Sequence, residues 1–486
     1  MNEVFSHRLW IAGAWQGSAE GREVRSPFDG STVSRVDQAS KEQMKLALDA
    51  AVEAAKVLRK TSRYLRAQLL SGIAEEISFR REEFVKLISR ESGKPVTLAD
   101  VEVGRALVTF ATAAEEAKRF GGEVIPVDVD VAGRPYLPAL SYWVPRGPVL
   151  GITPFNFPLN LVAHKVAPAL ASGNSIVIKP APQAPGAAVL LAQVFEKVAK
   201  KIGDSREKIP LAGLQVVSCS NDVAAAAVTD PRITTLSFTG STSVGWMLQS
   251  KAVGKRVLLE LGGNAAVIVH SDADLERAAS RSAAGGHGYA GQSCISVQRI
   301  YVHESCAERF IELLIKETSK LGVGDPAAKD VVVGPLIDAA AADRVMEWIA
   351  EAKKSGAKVL TGGTREKNVI APTVLSNVSP SSKVVCEEVF GPVVVVETYR
   401  EFSEAIEKVN DSRFGLQAGV FTDSQKLMRE AVEKLDVGGI LLNEIPTYRA
   451  DPMPYGGVKE SGLGREGLRY AMEEFSERRT VVQWIG

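Results

Sequence analysis

A single cysteine ends a glycine-rich segment that suits nucleophilic chemistry. Residues 285–294 read GGHGYAGQSC and end at Cys294. Glycines let the backbone approach a ligand closely and leave the Cys294 N–H free to face an oxyanion. The competing interpretation is a buried, inert thiol. We assign that interpretation to Cys219, Cys306 and Cys386, which lack such surroundings.

Two polar residues beside predicted strands could assist such a thiol. Glu260 closes the apolar run RVLLE before two glycines, and a carboxyl group buried there would have a raised pKa and could act as a general base. Asn156 lies in TPFNFP, where prolines would fix the direction of its amide, as an oxyanion donor requires. The competing interpretations are a solvent-facing strand end for Glu260 and a helix cap before Leu159 for Asn156.

A third segment could bind phosphate. The predicted strand TTLSF runs into Gly240 and then into TSVGWMLQSK, which predicts the start of a helix. Gly240 would let the backbone approach an anion, and the helix N-terminus would offer free N–H groups. The alternative is a plain strand-to-helix turn, since GxGxxG, the fingerprint of the standard dinucleotide fold, is absent here.

The elements that must position these residues follow an α/β pattern. From about 41 to 120 the apolar residues recur at helical spacing. Beyond them, short apolar runs alternate with amphipathic segments, which predicts parallel sheets covered on both faces. The predicted strands are VLGITP, SIVIKP, LQVVS, TTLSFTG and RVLLELGG in a first lobe, and QRIYVH, APTVLS, VVVVETY, LQAGVFT and GGILLN in a second.

Two strand-like segments fit neither lobe. They are VDVDVAGRPYLPALSYWV (127–144) and the closing RRTVVQWIG (478–486). Unpaired strand edges need cover, so we expect these segments to pair with each other or with a second subunit.

Composition excludes several classes of partner. The chain has 58 Lys+Arg against 58 Asp+Glu and no dense basic run, which disfavours nucleic acid. No stretch approaches the ~20 apolar residues of a membrane span, and the start lacks a secretory pattern. We therefore expect a cytoplasmic protein. The five histidines and four cysteines show no metal-ligand spacing, so we expect no catalytic metal.

Seven motifs in one order carry a family resemblance. PFNFP, IVIKPAPQAP, SFTGSTSVG, LELGGNA, GQSC, EEVFGP and PYGGVKESGLGREG resemble the aldehyde dehydrogenase superfamily across nearly the whole chain. The resemblance implies an α/β fold of two Rossmann-like lobes with parallel sheets plus a β-strand oligomerisation arm, in a homodimer or homotetramer. It implies an NAD(P)-binding domain at 1–122 and 146–262, a catalytic domain at 263–460, and the arm at 123–145 and 461–486.

The resemblance also gives the catalytic residues their roles. Cys294 would attack the aldehyde carbon to form a thiohemiacetal. Asn156 and the Cys294 N–H would hold the oxyanion during hydride transfer, and the loss of such a donor typically costs about 10²–10³ in rate. Glu260 would activate the water that hydrolyses the thioester.

Cofactor contacts follow from the same resemblance. Lys179 would bond the adenine-side ribose and Glu388 the nicotinamide ribose; without the resemblance, both would be read as surface charges. The remaining cofactor residues would be Thr153, Phe155, Pro182, Gly240, Ser241, Gly245 and Phe390. NAD-preferring relatives often carry a glutamate where this chain has Pro182, so nothing there repels a 2′-phosphate and the cofactor is predicted to be NAD or NADP.

The segment NEIPTYRADPMPY (443–455) resembles relatives that act on small polar aldehydes such as lactaldehyde, succinic semialdehyde and phosphonoacetaldehyde. Arg449, with Arg105 and His164 as further candidates, would hold an anionic tail. The competing interpretation pairs Arg449 with Asp451 on the surface.

Three other functions compete with this prediction. A dehydrogenase that passes its thioester to CoA and a reductase of acyl phosphates share the architecture but do without the general base, and Glu260 is present here. A non-enzymatic role is the third, since a fold alone does not guarantee catalysis. The joint presence of Cys294, Asn156 and Glu260 disfavours it.

Overall fold

Short strands and four helices open the chain. The computed structural model describes residues 4–134, 136–204 and 206–485. The strands are β1 (Phe5–His7), β2 (Leu9–Ile11), β3 (Ala14–Gln16), β4 (Glu20–Arg25) and β5 (Thr32–Gln38). The helices are α1 (Lys41–Leu58), α2 (Arg63–Phe79), α3 (Arg81–Ser92) and α4 (Val96–Arg119), followed by β6 (Glu123–Ile125) and β7 (Ala139–Pro145). The helical layer predicted from 41 to 120 is confirmed.

A parallel sheet forms the first lobe. Its strands are β8 (Val149–Ile152), β9 (Ile176–Lys179), β10 (Leu214–Val216), β11 (Thr235–Thr239) and β12 (Arg256–Glu260). The helices between them are α5 (Asn160–Ser172), α6 (Gly186–Lys201), α7 (Asn221–Thr229) and α8 (Thr242–Lys251). The order β12-β11-β8-β9-β10 is parallel throughout, and β2 and β3 extend it antiparallel.

The strand order places a crevice at one edge of this sheet. β8 and β11 are hydrogen-bonded neighbours, although β9 and β10 come between them in the chain. Such a switch point opens a crevice beyond the carboxyl ends of the strands, where α/β proteins bind ligands. Glu260 ends β12, and the loops after β8 and β11 begin at the same edge.

A second α/β lobe follows. Its strands are β13 (Ala266–Val269), β14 (Arg299–His303), β15 (Gly322–Val323), β16 (Val331–Val333), β17 (Lys358–Thr361), β18 (Arg365–Glu366), β19 (Val369–Ile370), β20 (Thr373–Ser376), β21 (Val393–Tyr399), β22 (Phe414–Gly415), β23 (Gln417–Phe421) and β24 (Gly439–Leu442). Its helices are α9 (Leu275–His287), α10 (Ala307–Ser319), α11 (Ala339–Lys354), α12 (Lys383–Cys386), α13 (Phe402–Asn410) and α14 (Gln425–Lys434). The main sheet runs β17-β20-β21-β14-β13-β23-β24, parallel except for β17.

The last segment returns to the first lobe before it reaches the arm. It comprises β25 (Val458–Lys459), β26 (Gly462–Leu463), α15 (Leu468–Glu474) and β27 (Ser476–Val481). β26 pairs antiparallel with β12, and α15 packs on α4 and α5. Residues 461–474, which the resemblance assigned to the arm, therefore adjoin the first lobe.

The two stray segments pair with each other in a sheet ordered β27-β7-β6. The strand expected over 127–144 begins only at Ala139; before it, the described residues show just an isolated bridge between Tyr136 and Trp484. The Asp130 carboxylate accepts the Gly133 N–H at 2.9 Å, and this local turn replaces the extended backbone. No helix within the described ranges is both long and apolar enough to cross a membrane.

Candidate active site

The crevice of the first sheet opens into a cavity of about 600 Å³. Its walls come from the loops after β8, β11 and β12, from the loop before β14, and from the segment around 447–466. Cys294, Asn156 and Glu260 all line it. Three residues that span 138 positions of the chain, from Asn156 to Cys294, thus face one space.

Strained backbone positions Cys294. Tyr289, Ala290 and Gly291 adopt successive left-handed conformations, with φ of 54°, 53° and 67°. A Cβ on Gly291 would lie 2.1 Å from the Gly391 carbonyl oxygen, so only glycine fits there. Non-glycine residues in this region cost about 1–3 kcal/mol each and persist only where their surroundings hold them.

The thiol of Cys294 is half-buried beside a phenol. Its Sγ lies 3.1 Å from the Tyr455 hydroxyl. Burial raises the pKa of the thiol to about 12; the hydrogen bond shared with Tyr455 lowers it, whereas Glu388 and Glu260 raise it further. In this arrangement the sulfur is therefore mostly protonated near neutral pH.

The Asn156 side chain points into the site and caps no helix. Its Nδ2 donates to the Gln292 carbonyl oxygen at 3.0 Å. Helix α5 begins later, and the Glu102 carboxylate accepts the N–H groups of Leu159 and Asn160 at 2.9 and 3.1 Å. Because Glu102 caps α5, the Asn156 side chain is not needed as a helix cap and is available for another role.

Two candidate oxyanion donors belong to residues that line the cavity, Asn156 and Cys294. The Cys294 N–H has no acceptor among the residues that the structure describes. Asn156 Nδ2 keeps its second N–H, since its one bond goes to Gln292. A backbone N–H and a side-chain amide in such positions are the groups that stabilise an oxyanion.

Glu260 is a buried carboxyl group without a donor. It is 3% exposed, and neither oxygen has a hydrogen-bond partner within the described part of the chain. Burial raises its pKa well above 4.5, and the charge of Glu466 raises it further, while Arg449 and Lys165 oppose this. A carboxyl group with a raised pKa at a cavity wall is a stronger proton acceptor than an exposed one.

Sequence reasoning missed the charge network behind Glu260. The Glu466 carboxylate pairs with Lys165 Nζ at 3.0 Å and Arg449 Nη2 at 3.2 Å. Burial opposes ionisation, but these two cations hold the pKa of Glu466 at about 2. A signal was available, because Lys165 is a lone cation in the apolar run VAHKVAPALA, and α5 is wholly buried.

The sequence also did not predict a second buried ion pair, between Lys94 and Glu102. Lys94 lines the cavity, pairs with Glu102 and lies 3.7 Å from the centre of the Phe157 ring. Burial lowers the pKa of Lys94 to about 8, although Glu102 opposes this. The pair fixes the carboxylate that caps α5.

The three candidate substrate residues differ in position. Arg449 and Arg105 line the cavity. Arg449 is buried and pairs with Glu466, so the surface pair with Asp451 does not form; Arg105 holds Asp451 instead, at 2.8 and 3.2 Å. His164 lies behind the wall, with Nε2 2.8 Å from Asp451 Oδ1. Burial, and secondly Arg449, lower the pKa of His164.

The nicotinamide side of the expected cofactor site opens on the same cavity. Its walls include Gly240, Ser241, Glu388, Phe155 and Phe390. The Glu388 carboxylate accepts the Gly263 N–H at 3.1 Å, and burial raises its pKa to about 7.

The other cofactor candidates lie outside that lining. Lys179 ends β9 and its carbonyl accepts the Thr153 N–H at 3.2 Å; Pro182 follows in the loop, and Gly245 lies in α8. The Lys179 side chain is 6% exposed, and its ammonium has no partner among the described residues. A Cβ on Gly245 would lie 2.3 Å from the Leu261 side chain, so this glycine lets α8 pack closely on the strand end.

These residues fit a dinucleotide. The N-terminus of α8 offers N–H groups for phosphate oxygens, while the unpartnered Lys179 cation and the Glu388 carboxylate are suited to ribose hydroxyls. Within the described residues, no cluster of three or more His, Cys, Asp or Glu side chains could hold a metal ion.

The chain forms two α/β lobes, each built on a mainly parallel sheet, with a thiol and a buried carboxyl group in the crevice between them. These features define a dinucleotide-dependent oxidoreductase. The sequence model of the aldehyde dehydrogenase family matches residues 15–481. The chain belongs to this family.

Similar proteins agree with that assignment. A 3-sulfolactaldehyde dehydrogenase of Priestia aryabhattai is 41% identical over 99% of both chains. A Physcomitrella patens aldehyde dehydrogenase, solved in complex with the reaction product succinate, has a TM-score of 0.96 at 37% identity over 99% of both chains. A glyceraldehyde-3-phosphate dehydrogenase of Methanocaldococcus jannaschii, complexed with NADP, has a TM-score of 0.91 at 37% identity over 96% of this chain and 100% of that one.

The family resemblance and the α/β fold expected from the sequence are thus confirmed. The chain is an NAD(P)-dependent aldehyde dehydrogenase that oxidises small aldehydes to acids. Its cofactor is NAD or NADP, as predicted.

Proposed function

We propose that the substrate is a short aldehyde with an anionic group, and that it is oxidised while bound covalently to Cys294. The observation that carries this proposal is the buried guanidinium of Arg449 on the cavity wall. Its Nε has no acceptor among the described residues, and an unsatisfied buried donor favours a ligand that supplies one.

In the proposed reaction, Cys294 forms a bond with the aldehyde carbon, and the carbonyl electron pair moves to oxygen. Asn156 Nδ2 and the Cys294 N–H stabilise that oxygen. When bound, the dinucleotide accepts hydride from the captured substrate. The product is a thioester on Cys294, and Glu260 removes a proton from the water that hydrolyses it.

The position of Arg449 supports a short substrate. Its guanidinium carbon lies 3.7 Å from the centre of the Tyr455 ring, and the hydroxyl of that ring contacts the thiol. A single ring therefore separates the cation from the sulfur. An anionic tail on Arg449 would leave room for only a few atoms before the reacting carbonyl.

The names of two similar proteins support an anionic group on the substrate. One is named for 3-sulfolactaldehyde, and another was solved with succinate. Sulfonate and carboxylate groups both accept charge-assisted hydrogen bonds from guanidinium. Arg105 lines the same cavity and would add positive charge, although Asp451 neutralises part of it.

Steady-state kinetics with matched aldehydes test the proposed function. Reduced nicotinamide is measured with anionic and neutral aldehydes of equal length, using NAD and NADP in turn. We expect a higher kcat/KM for the anionic member of each pair, and turnover with both cofactors because Pro182 supplies no carboxylate against a 2′-phosphate. Equal values within every pair would refute the anionic substrate, and no turnover with NADP would refute the interpretation of Pro182.

The substitution Arg449→Met is expected to lower the preference for anionic over neutral aldehydes by about 10–100-fold, the worth of a hydrogen bond to a charged group. The ratio of the two kcat/KM values is the measurement, since a general defect would lower both equally. Glu466 keeps Lys165 as a partner at 3.0 Å, which limits the structural damage. An unchanged ratio in a folded variant would exclude Arg449 as the tail-binding residue.

The arm supports an oligomer, and we propose a homodimer or homotetramer. Its strands leave Val124, Leu140 and Val481 exposed, with Trp484 close by. Exposed apolar side chains on a three-stranded sheet with open edges favour pairing with another chain.

A further inference from the structure

Tyr455 links the thiol to the buried charge network. Its hydroxyl lies 3.1 Å from Cys294 Sγ, and the Arg449 guanidinium lies 3.7 Å from the centre of its ring. Arg449 is held in turn by Glu466 at 3.2 Å. The phenol is 3% exposed, so water competes little for its single proton.

Local structure fixes the direction of the hydroxyl. Tyr455 exchanges two backbone hydrogen bonds with Glu466, at 3.0 and 2.7 Å. Its ring packs with Ile295 and Leu416, and Gly456 follows at a φ of 155°. The same residue, Glu466, thus anchors the tyrosine backbone and the cation beside its ring.

We propose that Tyr455 is a catalytic hydrogen-bond donor to the sulfur of Cys294, polarised by Arg449, which stabilises the thiolate before attack and again when the sulfur leaves the thioester. This inference rests on the proposed role of Cys294 as the nucleophile. It gives Tyr455 a role distinct from that of the amide and N–H groups, which serve the substrate oxygen.

The step conserves protons and electrons. The thiol releases its proton to water, and the phenol keeps its own. On attack, sulfur forms the bond to carbon and the carbonyl electron pair moves to oxygen. On hydrolysis, the carbon–sulfur bond breaks, its electron pair returns to sulfur, and the phenol again donates to the resulting thiolate.

The surrounding charges explain why a donor is needed. Glu388 and Glu260 both disfavour a thiolate at Cys294, and Arg449 is the cation that favours it. Burial raises the pKa of Tyr455 well above 10, so the phenol stays protonated and able to donate. A cation close to an aromatic ring draws on its electron density, which strengthens the donor.

Alkylation of Cys294 in the variant Tyr455→Phe tests the inference without relying on turnover. Iodoacetamide is added at several pH values, and modification of the Cys294 peptide is followed by mass spectrometry. A charge-assisted hydrogen bond is worth about one to two pH units of thiol pKa. The less acidic thiolate is also more nucleophilic, so the net rate at a fixed pH is expected to fall about 3- to 10-fold.

Two controls accompany this measurement. Cys386 is exposed and should react at the wild-type rate in the same sample, which shows that both proteins met the same concentration of reagent. Tyr448→Phe removes an exposed hydroxyl from the neighbouring loop and should leave the Cys294 rate unchanged. We expect kcat/KM of Tyr455→Phe to fall while the affinity for the dinucleotide does not change.

A Cys294 alkylation rate in Tyr455→Phe equal to wild type at every pH would overturn the inference, because a tyrosine that only packs would give that result. A different result would show that the proposed function itself is wrong. In that case turnover would survive the loss of Cys294, whatever the alkylation rates.

Discussion

Replacing Cys294 with alanine is expected to lower kcat/KM for every aldehyde by ~10⁴-fold or more, because the proposed reaction passes through a carbon–sulfur bond that alanine cannot form. The thiol is the one cysteine side chain on the cavity wall in the described part of the chain. Alanine removes only the sulfur from a half-buried position, so the variant should fold. Formation of reduced nicotinamide measures the effect.

Cys306→Ala is the matched control. Its thiol lies at the start of α10, where Sγ contacts the His303 carbonyl oxygen, and it does not line the cavity. This variant should keep wild-type kinetics. If Cys294→Ala kept a tenth of the wild-type activity, the covalent route would be excluded.

Replacing Glu260 with glutamine should separate the two halves of the reaction. Hydride transfer needs no base at this position, whereas hydrolysis of the thioester does. We expect one equivalent of reduced nicotinamide to form at near the wild-type rate, followed by a steady state slower by about 10²–10⁴-fold. Intact mass spectrometry should show the acyl group on the chain. Rapid steady turnover with no trapped acyl group would assign the base to another residue.

The raised pKa of Glu260 gives this prediction a pH dependence. A general base works only when deprotonated, so the wild-type hydrolysis rate should rise as the pH rises through that pKa, and the rate in Glu260→Gln should not. The free energy of unfolding depends on pH in the opposite direction. A folded-state pKa above 4.5 means that the protonated carboxyl group favours folding, and this contribution is lost as the pH rises through the raised pKa. The variant should therefore melt no lower than wild type at alkaline pH.

The main elements of both sheets could be predicted because their strands are continuous apolar runs between glycines, prolines and amphipathic helices. The run AVIV of β13 was not predicted as a strand, and neither were the short N-terminal strands. Most of the latter carry mixed polar residues, as in EGREVR of β4, which is mostly exposed, and the apolar β2 is only three residues long. Their pairing depends on distant partners, and a local pattern cannot report it.

The proposed reacting groups stand out in sequence because they break local rules. Glu260 ends an apolar strand, and glycines surround Cys294. The supporting residues do not stand out in this way. Lys165 and Glu466 are 301 positions apart, and Tyr455 looks like any aromatic residue until folding brings it against the thiol. Contacts of this range come only from tertiary structure.

The left-handed turn at Tyr289, Ala290 and Gly291 has a consequence for engineering heat tolerance. Replacing Tyr289 or Ala290 with glycine would relieve about 1–3 kcal/mol of backbone strain, partly offset by the greater freedom that glycine gives the unfolded chain. Selection for a higher melting temperature alone would therefore favour glycine at these two positions. The same changes would let the loop that carries Cys294 move away from Tyr455 and Glu260, so screens for thermal stability should also measure turnover.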